Sequence, residues 1–339
     1  MEESGTEPRR RRRAWPWVLG AIVLLLLLTI GAIVLVVLLA LGSTSGAAQP
    51  TRWEEDYISG SGSNKIAVLP VSGTISEDES SNPISTQTSS TPGVLLSQLE
   101  QASRDNKVKA VILEVDSPGG SVVASDEMHG DILDFKHKTG KPVIVSMQDT
   151  AASGAYYIST AADKIVANRS TFTGSIGVIM ELLNFSKAAN KYGVTQVDIT
   201  SGKFKDMGSP WKKISPQDRK VFQNLVNNSY DQFVSVVSKG RSMPQSKVRK
   251  IADGRVYSGL QAKKLGLVDQ LGNLDTAVSD ARSMAKIKKA TVVRYTQPPG
   301  LLSSLTARLA PQPPEAVQVM QAAGLDPTPR LEYIYRPGM

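Results

Sequence analysis

From Gly93 to Ile199, short β-branched apolar runs alternate with segments of helical period, and this alternation limits the fold more than any other feature. Lys109–Val115, Pro142–Met147, Lys164–Ala167 and Val194–Ile199 read as strands. Gly93–Ser103, Asp126–Lys138, Ser153–Thr160 and Ser186–Tyr192 read as helices between or beside them, and Pro216–Lys239 as a long amphipathic helix. Lys65–Ile75 adds an earlier strand, and Leu331–Tyr335 a short edge strand at the end of the chain. Strands joined by helical crossovers predict an α/β domain with a mostly parallel sheet covered on both faces.

Composition narrows the chemistry. The 339 residues include no cysteine and two histidines, His129 and His137. Disulfide scaffolds, cysteine nucleophiles, iron–sulfur clusters and a four-ligand zinc site are excluded, and no metal or cofactor is expected. The net charge of +8 is not gathered into a dense basic stripe, so no nucleic-acid partner is expected.

In parallel sheets, ligands bind beyond the carboxyl ends of strands. Two motifs stand there. Asp116-Ser117-Pro118-Gly119-Gly120 follows Val111–Val115, and its glycines allow close approach of backbone N–H groups to a substrate. Ala151-Ala152-Ser153-Gly154-Ala155 follows Val143–Met147, with small residues around a serine that reads either as a nucleophile or as a helix N-cap. A serine nucleophile needs a base, and both histidines precede Ser153 on one predicted helix. Lysine serves when dry surroundings lower its pKa from the usual value of about 10.4. Ser201-Gly202-Lys203-Phe204-Lys205-Asp206-Met207-Gly208 offers two lysines, with Phe204, Met207 and Trp211 as the apolar surroundings. Asp253–Gly272 reads as a structural module, with Ser258 capping a helix that ends at Gly266.

Read together, VDSPGG, AASGAYY, TGSIGV, SGKFKDMG and GRVYSGLQAKKLGLVDQLG resemble the signal peptide peptidase A family, peptidase family S49, over about Lys65–Thr291 in its short single-domain form. The resemblance implies a ClpP/crotonase-like fold of repeated ββα units. It implies Ser153 as nucleophile, Lys205 as general base and Ser175 as the serine that orients the lysine. It places an oxyanion hole at the backbone N–H groups of Gly119, Gly120 and Gly154. It implies a serine endopeptidase acting on apolar peptides such as cleaved signal peptides, and a ring-shaped homo-oligomer. Ala155 stands where many relatives have glycine, a change too small to affect activity. A catalytically silent scaffold and, more remotely, a crotonase-like acyl-processing enzyme are the alternatives.

Residues 14–41 form a 28-residue run without a charge, preceded by Arg9–Arg13. About 20 apolar residues span a bilayer's hydrocarbon, and clustered arginines stay cytoplasmic. The expectation is one N-terminal transmembrane helix in the lipid bilayer, an N-terminus in the cytoplasm and an extracytoplasmic catalytic domain at the cell membrane. The expected domains are a basic N-terminus at 1–13, an anchor at 14–41 and a flexible tether at 42–64. The protease domain follows at 65–295, then a proline-rich tail at 296–339. With the active site held near a membrane, small or aliphatic residues are expected before the cleaved bond.

Overall fold

The computed structural model describes residues 24–25, 27–31, 52–77, 89–297 and 331–335. The chain divides into two units, Met1–Thr51 and Arg52–Met339.

In the first unit, residues 24–25 and 27–31 are helical. The expected transmembrane helix at 14–41 is corrected: among the described residues, no helix is long and apolar enough to cross a membrane. The rest of that run, and residues 1–13, lie outside the described residues. The same finding removes the N-terminal membrane helix from the fold class, the bilayer contact through residues 14–41 and the single-pass localisation. It also removes the membrane anchor from the function. The ring-shaped homo-oligomer expected beside the bilayer contact gains no support from the single chain.

The second unit begins with strand β1 (Glu54–Gly60), inside the stretch expected as tether, followed by β2 (Lys65–Ser72), β3 (Thr74–Ile75) and β4 (Ser89–Ser90). Helix α1 (Pro92–Arg104), β5 (Val108–Ser117), β6 (Gly119–Ser121), α2 (Val122–Thr139), β7 (Val143–Ala152) and α3 (Gly154–Ser159) come next. Then follow β8 (Lys164–Ala167), β9 (Phe172–Gly174), β10 (Ile179–Met180), α4 (Ser186–Lys191), α5 (Pro216–Gly240) and α6 (Gln245–Arg249). The last elements are β11 (Val256–Ser258), α7 (Gly259–Leu265), β12 (Gln270–Leu271), α8 (Leu274–Met284), β13 (Thr291–Thr296) and β14 (Leu331–Ile334).

The larger sheet runs β1-β13-β2-β5-β7-β8-β12, with β9 beside β7 and β11 beside β9. From β13 to β12 the pairings are parallel. Its central strands are buried on both faces, which is why they read as continuous apolar runs. Ala67, Leu69, Val111, Leu113 and Val145 enter one core cluster. Their neighbours Ile66, Val68, Ala110, Ile112 and Ile144 enter a second, packed by Ala277, Val278 and Ala281 of α8. The smaller sheet runs β10-β14-β6-β3-β4, so β14 is an interior strand and not the expected edge. The expected strand at Val194–Ile199 is absent: these residues are irregular and exposed.

The helix caps follow the sequence. Thr91 accepts from Val94 N–H with proline opening α1. Ser258 closes a capping box with Gln261, and Gly266 ends α7 in the left-handed region.

One ion pair ties the last turn of the predicted structural module to the sheet. Arg241 contacts the Asp269 carboxylate at 2.5 Å, and the Ile165 N–H of β8 donates to the same carboxylate at 2.8 Å. Burial raises the Asp269 carboxyl, but hydrogen bonds from Arg241 and Ile165 outweigh it and its pKa lies below the ordinary carboxylate value. Stability from this carboxylate is therefore present above the unfolded value of about 3.9 and is lost as pH falls through the lower folded value. Asp269→Asn should cost about 2–3 kcal/mol at neutral pH, at the low end for a pair of which Asp269 is partly exposed. Urea unfolding at pH 7 and at pH 3 checks this, with a smaller difference expected at the lower pH.

Candidate active site

Strand β7 ends at Ala152 and the chain turns sharply into α3 at Ser153. Ser153 takes φ 56° and ψ −116°, a region costly for any residue with a side chain. Its side chain makes no capping hydrogen bond, so the N-cap alternative is not what the structure shows. The residue is 1% exposed and its Oγ has no hydrogen-bond partner. A strained, buried and unsatisfied hydroxyl is a liability to stability, and such features concentrate at functional sites. The turn is held by Ser153 N–H donating to Gly174 O at 2.8 Å and by Tyr157 N–H donating to Ser153 O at 2.8 Å.

Ser175 is the neighbour of Ser153 across the sheet. Strand β9 pairs with β7 in parallel, with Gly174 opposite Ala152, so both serines leave their strands side by side. Ser175 is buried and also has positive φ, 48°, with its N–H donating to Arg255 O at 2.9 Å. Beside it lies a cavity of about 420 Å³ lined in part by Ser175, Val178, Ile179, Val226, Tyr230 and Ile334.

The glycines converge on the same place. Gly119 has φ 98°, and a Cβ there would lie 2.1 Å from Tyr333 O and 2.6 Å from Gly154 N. A Cβ on Gly154 would lie 3.1 Å from Tyr333 O and 3.2 Å from Gly120 N. The three glycines thus form one backbone cradle, and the Tyr333 carbonyl rests in it. The Gly119 N–H donates to Ser117 Oγ at 3.1 Å, and Gly120 stands opposite Tyr333 in the β6–β14 ladder. Gly119→Ala should therefore lower turnover by about 10²-fold or more, because the new methyl group meets backbone rather than a movable side chain. Kinetics alongside circular dichroism would show the loss without unfolding.

Lys205 makes no hydrogen bond with Ser153, whose Oγ has no partner. It lies on an exposed turn, its N–H donating to Gly202 O at 3.1 Å. The expected apolar enclosure is incomplete: Phe204 and Trp211 are both 45% exposed. Trp211 packs on Phe185, and Lys203 lies 5.5 Å over the Phe204 ring. His129 is packed edge-on against Tyr157, and burial holds its pKa below the ordinary value. Ser153 Oγ, having no partner, receives no hydrogen bond from either histidine.

Two parts of the site escaped sequence reasoning. Ser117 fixes the Gly119 N–H. Strand β14 lies antiparallel between β6 and β10, with Tyr333 opposite Gly120 and Ile334 opposite Gly119. The alternation of Leu331, Tyr333 and Tyr335 signals a strand, but nothing local tells where it pairs.

The model described as Peptidase family S49 matches residues 136–288. A protein of Enterococcus faecium named as a signal peptide peptidase SppA is 39% identical over 291 residues, covering 83% of this chain and 84% of its own. The chain belongs to peptidase family S49. Protease 4 of Salmonella typhi is 36% identical over 269 residues, which cover 77% of this chain and 42% of that protein. The chloroplastic serine protease SPPA of Arabidopsis thaliana is 35% identical over 253 residues, 72% of this chain and 37% of that protein. The S49 chain thus spans under half the length of these last two, while matching most of the Enterococcus protein. Its identity is that of a serine protease.

Proposed function

We propose that this S49 chain is a serine endopeptidase in which Ser153 attacks the peptide carbonyl and Lys205 is the general base. The observation that carries the reading is the Ser153 turn: a buried hydroxyl without a partner, on strained backbone, beside a cradle of glycine N–H groups. Neutral Lys205 takes the Ser153 proton as Oγ bonds to the carbonyl carbon. The N–H groups of Gly120 and Gly154 stabilise the resulting oxyanion, with Gly119 supplying the space, an effect of about 3–4 kcal/mol for one donor. Lys205 then returns the proton to the leaving amine. Water, deprotonated by the same lysine, releases the acyl group and regenerates Ser153. Ser175 orients the lysine.

The single chain leaves Lys205 on an exposed turn, so the proposal requires that Nζ be delivered to Ser153 Oγ from outside the arrangement described above. The substrate adds as an extended strand between β6 and β10, the slot that β14 fills, with its carbonyl where Tyr333 O now rests. Unfolded apolar peptides fit that slot, and the name of the Enterococcus relative points to signal peptides among them. The ClpP/crotonase-like arrangement belongs to the same proposal, supported by the parallel strand and helix order and by the side strand β6. Cleavage of an unfolded apolar peptide by the wild type, lost in Ser153→Ala, tests the reading; equal cleavage by both proteins would reject it.

A further inference from the structure

Strand β5 has one polar residue among its buried ones. The others lie between Val108 and Val115 and are apolar, whereas Ser117, at the end of the strand, is 0% exposed. An apolar residue would serve the sheet equally well there, where Ser117 pairs with Ala151, two residues before Ser153. A buried hydroxyl costs stability unless it has a partner. Its partner is the Gly119 N–H, which donates to Ser117 Oγ at 3.1 Å across Pro118.

That hydrogen bond holds one peptide plane, Pro118–Gly119, by its N–H end. Proline fixes φ on one side of the plane and supplies no N–H of its own. Gly119, on the other side, has φ 98° and no side chain to resist rotation. The carbonyl end of the same plane, Pro118 O, accepts the Tyr335 N–H at 2.7 Å from the segment that fills the slot. When that segment leaves, the bond from Tyr335 goes with it and the bond to Ser117 stays. The next N–H along the chain belongs to Gly120, whose nitrogen lies 3.2 Å from where a Cβ on Gly154 would stand. Rotation of the Pro118–Gly119 plane would turn the Gly119 backbone and displace that N–H.

We propose that Ser117 is a positioning residue of the glycine cradle: its hydroxyl holds the Pro118–Gly119 plane so that the Gly120 N–H stays aimed at the carbonyl oxygen under attack. This rests on the reading of Ser153 as nucleophile and of the glycine N–H groups as oxyanion donors. Ser117 acts through the backbone alone. The negative charge on that oxygen is larger in the transition state than in the bound peptide, so a misaimed N–H costs rate far more than binding.

The test compares an apolar peptide aldehyde with the alcohol of the same sequence on the full-length protein. Ser153 Oγ adds to the aldehyde carbon, its proton passes to the base, and the aldehyde oxygen becomes the oxyanion. The alcohol occupies the groove and cannot add. Wild type should bind the aldehyde at least about 100-fold more tightly than the alcohol. In Ser117→Ala that ratio should fall by about 10-fold, with kcat lowered by the same factor and KM changed less than about 2-fold. Ser117→Thr keeps the oxygen and should keep most of the ratio. Ser117→Cys, whose thiol is a weak acceptor, serves as a second variant if Ser117→Ala does not fold, and should also lower the ratio. A merely structural role for Ser117 would weaken aldehyde and alcohol by the same factor. That result, an unchanged ratio in Ser117→Ala, overturns the inference and leaves the cleavage reading standing. A wild-type protein that binds both compounds alike would instead reject the cleavage reading itself.

Discussion

Ser153→Ala should lower peptide turnover by at least about 10³-fold and leave the protein as stable as before, or more so. The rate falls because the nucleophile is gone. Stability does not fall because Ser153 Oγ is buried without a partner, so its removal breaks no hydrogen bond and relieves an unsatisfied polar group. Ser153→Gly should go further, since glycine tolerates φ 56° and the strain of the turn would disappear. A gain of about 1 kcal/mol in unfolding free energy is the expected size. Lys205→Ala should match the loss in rate, and Ser175→Ala should fall between it and wild type. Lys203→Ala, His129→Ala and His137→Ala should matter little. Steady-state kinetics and urea unfolding on the same set of variants check both halves. A normal rate in Lys205→Ala would show that the base lies elsewhere.

Removing residues 331–339 should raise kcat/KM for a short apolar peptide by about 10- to 100-fold. Strand β14 fills the slot between β6 and β10, and Tyr335 N–H also donates to Pro118 O at 2.7 Å. A tethered segment competes at an effective concentration in the millimolar range, and the apparent affinity of any rival falls by the fraction of open groove. The deletion has an opposing cost, because the Tyr333 ring leaves the core beside Tyr157 and Phe233. Unfolding free energy should drop by about 3–5 kcal/mol, the usual range for losing a large buried aromatic. Higher activity together with lower stability is therefore the signature. A truncated protein that is folded and no more active would mean that β14 is a structural strand and peptides bind elsewhere.

The central strands were legible because burial on both faces demands continuous β-branched runs, as in Val111–Val115 and Val143–Met147. The limits of α7 followed from its caps, Ser258 and Gly266. Val194–Ile199 has the same β propensity and still forms no strand: Val197 and Ile199 are 81% and 99% exposed, and among the described residues no strand pairs with them. Propensity in a sheet is a measure of packing against partners, which local sequence does not supply. The position of β14 was hidden for the same reason, its partners lying in β6 and β10 far along the chain. At the site, the small residues around Ser153 and the paired glycines marked the turn and the cradle. The strained φ of Ser153 and the exposure of Lys205 were not readable. Phe204 and Trp211 are near Lys205 in sequence, but adjacency does not make an enclosure.

The most direct test of the account is covalent labelling of the full-length protein with a serine-reactive fluorophosphonate, followed by mass spectrometry of the labelled peptide. The account predicts one adduct, on Ser153, absent in Ser153→Ala and much slower to form in Lys205→Ala. Equal labelling of wild type and Ser153→Ala, or an adduct placed on another serine, would contradict it.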